Sequence, residues 1–166
     1  HPSWKNFGRS RRQRQRENST DECICGFLKP DKGMITVCGK RVGKDVDFPE
    51  SIGIIIETPG FLPYQSGYRN LKTLAALKGK IGKKEIMEAL CQVGLLENRR
   101  KAVARYSLGM RQRLGLVQAI MENPQVLVLD EPFNGLDQQG VKEARKLLWA
   151  QKNQGKAILL ASHNAE

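Results

Sequence analysis

The sequence predicts an α/β fold with a parallel-stranded core. Two continuous apolar runs, VLVL at 126–129 and AILLA at 157–161, have the length and composition of strands buried on both faces. Between them Val141, Ala144, Leu147 and Leu148 fall at helical spacing. Strand, helix and strand in that order make a right-handed crossover between parallel strands. The polar residues that end the two runs, Asp130-Glu131 and Ser162-His163, then share one sheet edge, the edge at which such sheets bind ligands.

A chain of 166 residues amounts to about one domain, or a piece of one. With 40% apolar and 27% charged residues and a mean hydropathy of −0.47 it can bury a core. It holds no apolar run near the roughly 18 residues needed to cross a bilayer, so any membrane role is peripheral. The net charge is +11, with +3 of it in residues 1–22 and the rest spread over 23–166, which favours acidic partners such as phosphates, nucleic acid or anionic headgroups. Cys23, Cys25, Cys38 and Cys91 lack paired C-x-x-C spacings and read as reduced cytosolic thiols. Cys23 and Cys25 are expected to be two small buried side chains, since no second Cys/His pair completes a metal site. The chain opens on His1 with no signal-peptide pattern, and its start reads as a fragment boundary.

Residues 1–22, rich in Arg, Gln and Glu, have too few apolar positions to offset the entropy of ordering and are expected to be disordered. After them come the apolar run CICGFL, a KPDKG turn and a short strand MITV closed by Gly39. IGIII at 52–56 reads as a buried strand, followed by the Pro/Gly-punctuated loop ETPGFLPYQSGYRN. Ile86, Met87, Leu90, Val93 and Leu96 mark a surface helix over 84–93, flanked by the basic stretches KGKIGKK and ENRRK. Ser107 caps a helix whose apolar positions include Leu114, Val117, Ile120 and Met121, and Asn123-Pro124 stops it.

The chemistry sits around the second strand-helix boundary. Asp130 stands where an apolar strand opens to solvent, a place suited to holding Mg²⁺ through its water shell, and Glu131 beside it is placed to polarise a water. By themselves, two acids ending a strand, a Ser-capped helix and an Asn-Gly turn need no function. Their order does: YSLGMRQRLGLVQAIMENPQVLVLDEPFNGLD resembles the signature-to-Walker-B block of an ABC transporter ATP-binding subunit. The resemblance implies a P-loop NTPase-like sheet core, truncated at both ends, with a helical subdomain at about 58–122. Asp130 then corresponds to the Walker B aspartate and Glu131 to the catalytic glutamate. Ser107 and Gly109 correspond to the signature residues that contact the γ-phosphate held by the opposite subunit, which implies a homodimer or heterodimer with shared sites. Leu108 and Met110 depart from the commonest signature, and Ser-Leu-Gly-Met resembles exporters of antibiotics and bacteriocins. Gly135-Leu136-Asp137 matches the D-loop, which places Asp137 at the nucleotide. His163 matches the switch histidine, and Glu57 stands where the family usually has the Q-loop glutamine. Phe61, Tyr64 and Tyr68 behind it are candidates for contact with a membrane permease, or equally for packing inside the helical subdomain. ATP and Mg²⁺ are the implied ligands, the implied location is the cytoplasmic face of the plasma membrane, and no nucleic acid is expected.

The resemblance covers 23–166 and departs from the family at one place. No G-x-x-x-x-G-K-S/T phosphate loop occurs in the chain, and RRQRQRENSTDE stands where one belongs, without the glycines that allow backbone to approach phosphate. Purine-rich Gly and Lys codons read out of frame yield Arg, Gln, Glu and Asn, so a frameshift before Cys23 is one account and a natural basic extension the other. Either way the chain is expected to bind ATP weakly, and neither Trp4 nor Phe7 can be assigned to stacking on adenine. A truncated sheet exposes apolar edges. Two further readings are an ATPase head of the DNA-repair or chromosome-maintenance type and a nonfunctional remnant; the first predicts a long heptad segment, and none lies between Gly39 and Ser107.

Overall fold

Three of the apolar runs, IGII, VLVL and AILLA, become the strands of one sheet. A computed structural model describes residues 20–56 and 60–162. The elements in chain order are β1 (Thr36–Val37), β2 (Lys40–Arg41), β3 (Ile52–Ile55), α1 (Gly67–Lys78), α2 (Lys83–Gln92), a 3-10 turn (Val103–Arg105), α3 (Leu108–Ile120), β4 (Val126–Asp130), α4 (Gln138–Asn153) and β5 (Ala157–Ala161). The described residues divide into two compact units, 20–50 with 162, and 51–56 with 60–161.

The larger unit holds a three-stranded sheet in the order β3-β4-β5. All pairs are parallel: Ile52 lies opposite Val126 in β4, and Asp130 lies opposite Ala161 in β5. Leu127, Val128 and Leu129 are sealed from solvent, as a central parallel strand requires. The second run is a correction. AILLA was expected to be a buried strand, but β5 is half-exposed, with Leu159 41% accessible, because among the described residues it pairs only with β4.

Helices α1, α2 and α3 pack on one another, and α3 lies against β3. Their shared core includes Leu71, Ile86, Leu90, Leu95, Leu114 and Val117 together with Leu127 and Leu129 of the sheet. α1 was not expected from the sequence; Ser66 caps it by accepting from the Arg69 N–H at 3.2 Å, and Gly79 ends it in a left-handed conformation. α2 lies one residue toward the amino end of the expected 84–93, with Ile86 and Leu90 on its buried face and Val93 and Leu96 beyond its end. α3 begins at the Ser107 cap and α4 at an Asp137 cap. Lys78 at the end of α1 pairs with Glu122 after α3 at 2.7 Å.

The contact between α3 and β3 has no room for a side chain. A Cβ on Gly53 would stand 1.9 Å from the Ala119 carbonyl oxygen, so the helix backbone rests directly on the strand.

In the smaller unit residues 20–25 are helical. This corrects the expectation of disorder for residues 20–22; residues 1–19 lie outside the described residues. The strand expected at MITV is shorter, Thr36–Val37, with Met34 73% exposed. It pairs with β2 through a two-residue turn, Cys38-Gly39, whose φ values of 50° and 79° are those of a type I′ hairpin. A cavity of about 260 Å³ is lined by Cys23, Leu28, Pro30, Ile35, Val42 and Phe48, among others. Cys25 is buried as expected, whereas Cys23 is only half-buried.

Burial pushes the Cys25 thiol up to about 12, and the Asp21 and Glu22 carboxylates add to the shift. Iodoacetamide at about pH 8.5 is therefore expected to label the exposed Cys38 and Cys91 and to spare Cys25, which peptide mapping reads out. Between the ordinary value of 9.0 and about 12 the unfolded chain releases a proton that the folded chain keeps, so stability contributed by Cys25 is present below 9 and declines as pH rises through that window. Replacement of Gly53 by Ala is expected to cost about 3 kcal/mol in urea unfolding, because the clash is with backbone that cannot rotate away.

Candidate functional site

β4 delivers Asp130 to the carboxyl end of the sheet half-buried, and the next residue turns the chain sharply. Glu131 has φ +46°, the left-handed region, which costs a non-glycine residue about 1–2 kcal/mol. Both of its backbone groups are tied down. Its N–H donates to the Ala161 carbonyl at 2.8 Å, and its carbonyl accepts from the Asn134 N–H at 3.1 Å and from Gln112 Nε2 at 3.1 Å. Gln112 is 6% exposed and reaches across from α3, while Pro132, directly after Glu131, is fully buried.

The start of α3 stands beside this turn. The exposed Ser107 Oγ accepts from the Met110 N–H at 3.2 Å, leaving other first-turn N–H groups unmatched within the helix, as at any helix start. Gly109 and Gly135 let two loops meet: a Cβ on Gly109 would lie 3.0 Å from the Gly135 carbonyl, and one on Gly135, at φ +74°, would lie 2.4 Å from Leu108 Cγ. Asp137 Oδ1 accepts from the Gly140 N–H at 2.7 Å. Arg113, one residue past Gln112, donates to the Val93 carbonyl at 3.4 Å and pairs with Glu143 at 3.5 Å and Asp137 at 4.0 Å. Those carboxylates are largely exposed, so the pairs orient more than they stabilise.

The structure thus brings Ser107, Gly109, Asp130, Glu131 and Asp137 to one end of the larger unit through contacts among α3, the 131–137 turn and the start of α4. Glu57 and His163 lie outside the described residues. Of the three aromatic candidates, Phe61 and Tyr68 pack against the core, and Tyr64 is 79% exposed. The loop that presents them is held by the buried Asn70, which accepts from the Leu62 N–H at 2.8 Å and donates to the Leu62 and Ser66 carbonyls at 3.1 Å. Tyr106 braces the far side by donating its hydroxyl to the Asn98 carbonyl at 2.8 Å, and burial raises its pKa.

Gln112 is the residue that sequence reasoning missed. Its signal was present, since Gln112, Leu116 and Ala119 share one buried stripe and a polar side chain in such a stripe needs a partner.

Among the described residues no group of three or more His, Cys, Asp or Glu converges. A single carboxylate at a strand end fits a Mg²⁺ ion that keeps most of its ligands as water and phosphate oxygens, and does not fit an all-protein metal cage.

Residues 19–134 match the family model for ABC transporters. The chain belongs to the ABC transporter family. It is 43% identical over 136 residues to the bacitracin transport ATP-binding protein BcrA of Enterococcus faecalis, covering 81% of this chain and 44% of that protein. It is 38% identical over 141 residues to the lantibiotic transport ATP-binding protein SrtF of Streptococcus pyogenes, 84% of this chain and 60% of that one. An uncharacterized ABC transporter ATP-binding protein of Bacillus subtilis, YybJ, is 38% identical over 143 residues, 86% of this chain and 66% of the relative. The chain therefore spans from about half to just under two thirds of the length of these relatives. Among solved structures, an ATP-binding subunit of an ABC transporter superposes with a TM-score of 0.77 at 27% identity, covering 89% of this chain and 63% of that one. A dimeric bacterial ABC transporter cassette has a TM-score of 0.78 at 19% identity, covering 89% and 70%, which shows the P-loop NTPase-like α/β fold. Among the described residues no helix of this ABC domain is long and apolar enough to cross a membrane.

Replacing Asp137 with Ala removes the α4 cap and is expected to cost about 1 kcal/mol in denaturant unfolding, while Asp137→Asn keeps most of that stability, because the amide oxygen still accepts from Gly140.

Proposed function

We propose that this chain is the ATP-binding subunit of an ABC exporter of antibiotics or bacteriocins, acting as one half of a dimer beneath a membrane permease. The observation that carries the reading is the Asp130-Glu131 pair at the exit of the central strand, locked to the signature helix through Gln112. The names of the relatives from Enterococcus and Streptococcus support the class of cargo, and they favour a transporter over a DNA-repair ATPase head.

In this reading Asp130 would hold Mg²⁺ through water, and the bound ion would supply neutralisation of phosphate charge. Glu131 accepts a proton from the attacking water and aims it for in-line displacement at the γ-phosphate. Ser107 and the N–H groups at the start of α3 donate to the γ-phosphate bound by the opposing subunit, where the positive end of the helix dipole favours an anion. Asp137 ties the D-loop to α4 at the same junction. Glu57 and His163 are assigned by motif position, Glu57 to sensing the nucleotide and His163 to the γ-phosphate. Tyr64, the most exposed of the three aromatics, is the residue offered to the permease, at the cytoplasmic face of the plasma membrane.

The sequence carries no counterpart of the phosphate loop, so this chain supplies the signature and Walker B half of the chemistry. Losing even two charge-assisted hydrogen bonds to phosphate weakens binding by about 100-fold. Calorimetric titration with ATP and Mg²⁺ is expected to show at least that deficit relative to intact BcrA, and equal affinity overturns the impairment. Mixed with an ABC subunit that has an intact phosphate loop, this chain is expected to stimulate ATP hydrolysis, and Ser107→Arg to abolish the stimulation. Stimulation that survives Ser107→Arg overturns the assignment of the signature.

A further inference from the structure

We propose that Gln112 is a positioning residue for Glu131, clamping the strained backbone of the glutamate so that its carboxylate faces the attacking water. The inference rests on the reading of Glu131 as the general base and adds a residue to that machinery. Three observations carry it. Glu131 sits in the left-handed region at φ +46°, a conformation that a glutamate leaves unless its surroundings hold it there. Its carbonyl accepts from Gln112 Nε2 at 3.1 Å, nineteen residues away in sequence. Gln112 is buried at 6% exposure in an otherwise apolar stripe, so its amide is present at the expense of packing and has the Glu131 carbonyl as its partner.

The geometry assigns the clamp a direction. A carbonyl fixed on one side and an N–H fixed on the other, by Ala161 at 2.8 Å, leave the peptide planes flanking Glu131 no freedom to rotate. With both planes set, the Cα–Cβ bond of Glu131 has one direction. Gln112 lies five residues after Ser107 on the same helix, so the cap that starts α3 and the clamp belong to one element.

The test uses the full chain labelled with ¹³C and ¹⁵N, in parent form and as Gln112→Leu and Gln112→Asn. Leucine keeps the volume and lacks the donor; asparagine keeps the amide and falls one methylene short, so it serves if leucine perturbs folding. Both variants are expected to move the Glu131 Cα and Cβ resonances away from the left-handed pattern and to speed its amide exchange, with the Leu127 to Leu129 resonances unchanged. Glu131 resonances that stay at their parent positions in both variants overturn the clamp and leave the reading of Glu131 untouched. Shifts that spread equally to Leu127, Val128 and Leu129 show a general packing role for Gln112 and overturn the clamp.

Discussion

Everything near the site depends on β4 being buried on both faces. Leu127, Val128 and Leu129 are each sealed from water, and burying side chains of this size stabilises a fold by about 1.5–3 kcal/mol each. That sum is comparable to the whole stability of a small domain. Burial on both faces has a weakness, because a strand with no polar face loses nothing to alternation when its register slips by one residue. What resists the slip here is the charge at its end. Moving β4 inward by one position would carry Asp130 into the apolar layer, where an unpaired carboxylate is prohibitive, and moving it outward would expose a leucine. Asp130 is thus the residue that sets the register of the central strand.

The second constraint is the backbone contact between α3 and Gly53. With the Ala119 carbonyl resting on the strand, α3 has one depth and one register against the sheet, since any neighbouring residue of β3 would bring an isoleucine under the helix. That rigidity extends to the amino end of the helix, where Ser107 caps it, and through Gln112 to the turn after β4. A single helix therefore sets both the position of Ser107 and Gly109 and the backbone of Glu131. The loop before α1 is built differently: Asn70 satisfies its backbone with side-chain hydrogen bonds while leaving Tyr64 in solvent, an arrangement that holds the shape of a surface without burying it.

These features were unequally legible in the sequence. Asp130, Glu131, Ser107 and the start of α3 were readable because each marks a sharp change of polarity at an element boundary. β5 was misjudged because AILLA and VLVL look alike, and whether an apolar run is central or at an edge is decided by neighbours that the run itself does not encode. α1 was missed because GYRNLKTLAALK buries only Gly67, Asn70, Leu71 and Ala75 and follows a Pro/Gly-rich loop that obscures its Ser66 cap. The β1-β2 hairpin was missed because two-residue strands carry no periodicity; its signal was Cys38-Gly39, and a cysteine is a poor advertisement for a left-handed turn position. Gln112 sat in plain view inside the block that gave the resemblance, yet a motif draws attention to the start of the helix, and the partner that explains this residue is a backbone carbonyl that no motif records.

The conformation of Glu131 follows from two demands placed on adjacent residues. The chain leaving β4 buries Pro132 and keeps the side chain before that proline half-exposed. A right-handed or extended residue at 131 would carry the chain onward rather than turn it back through Asn134. Glycine would make the turn without strain and would have no carboxylate to offer; glutamate supplies the carboxylate and costs about 1–2 kcal/mol in backbone strain. The hydrogen bond that Glu131 donates to the Ala161 carbonyl and those it accepts from Asn134 and Gln112 are what make that exchange sustainable, because each would be lost if the residue relaxed. The strain is therefore stored at Glu131, and the structure that holds it in place comes from a strand, a turn and α3 at once.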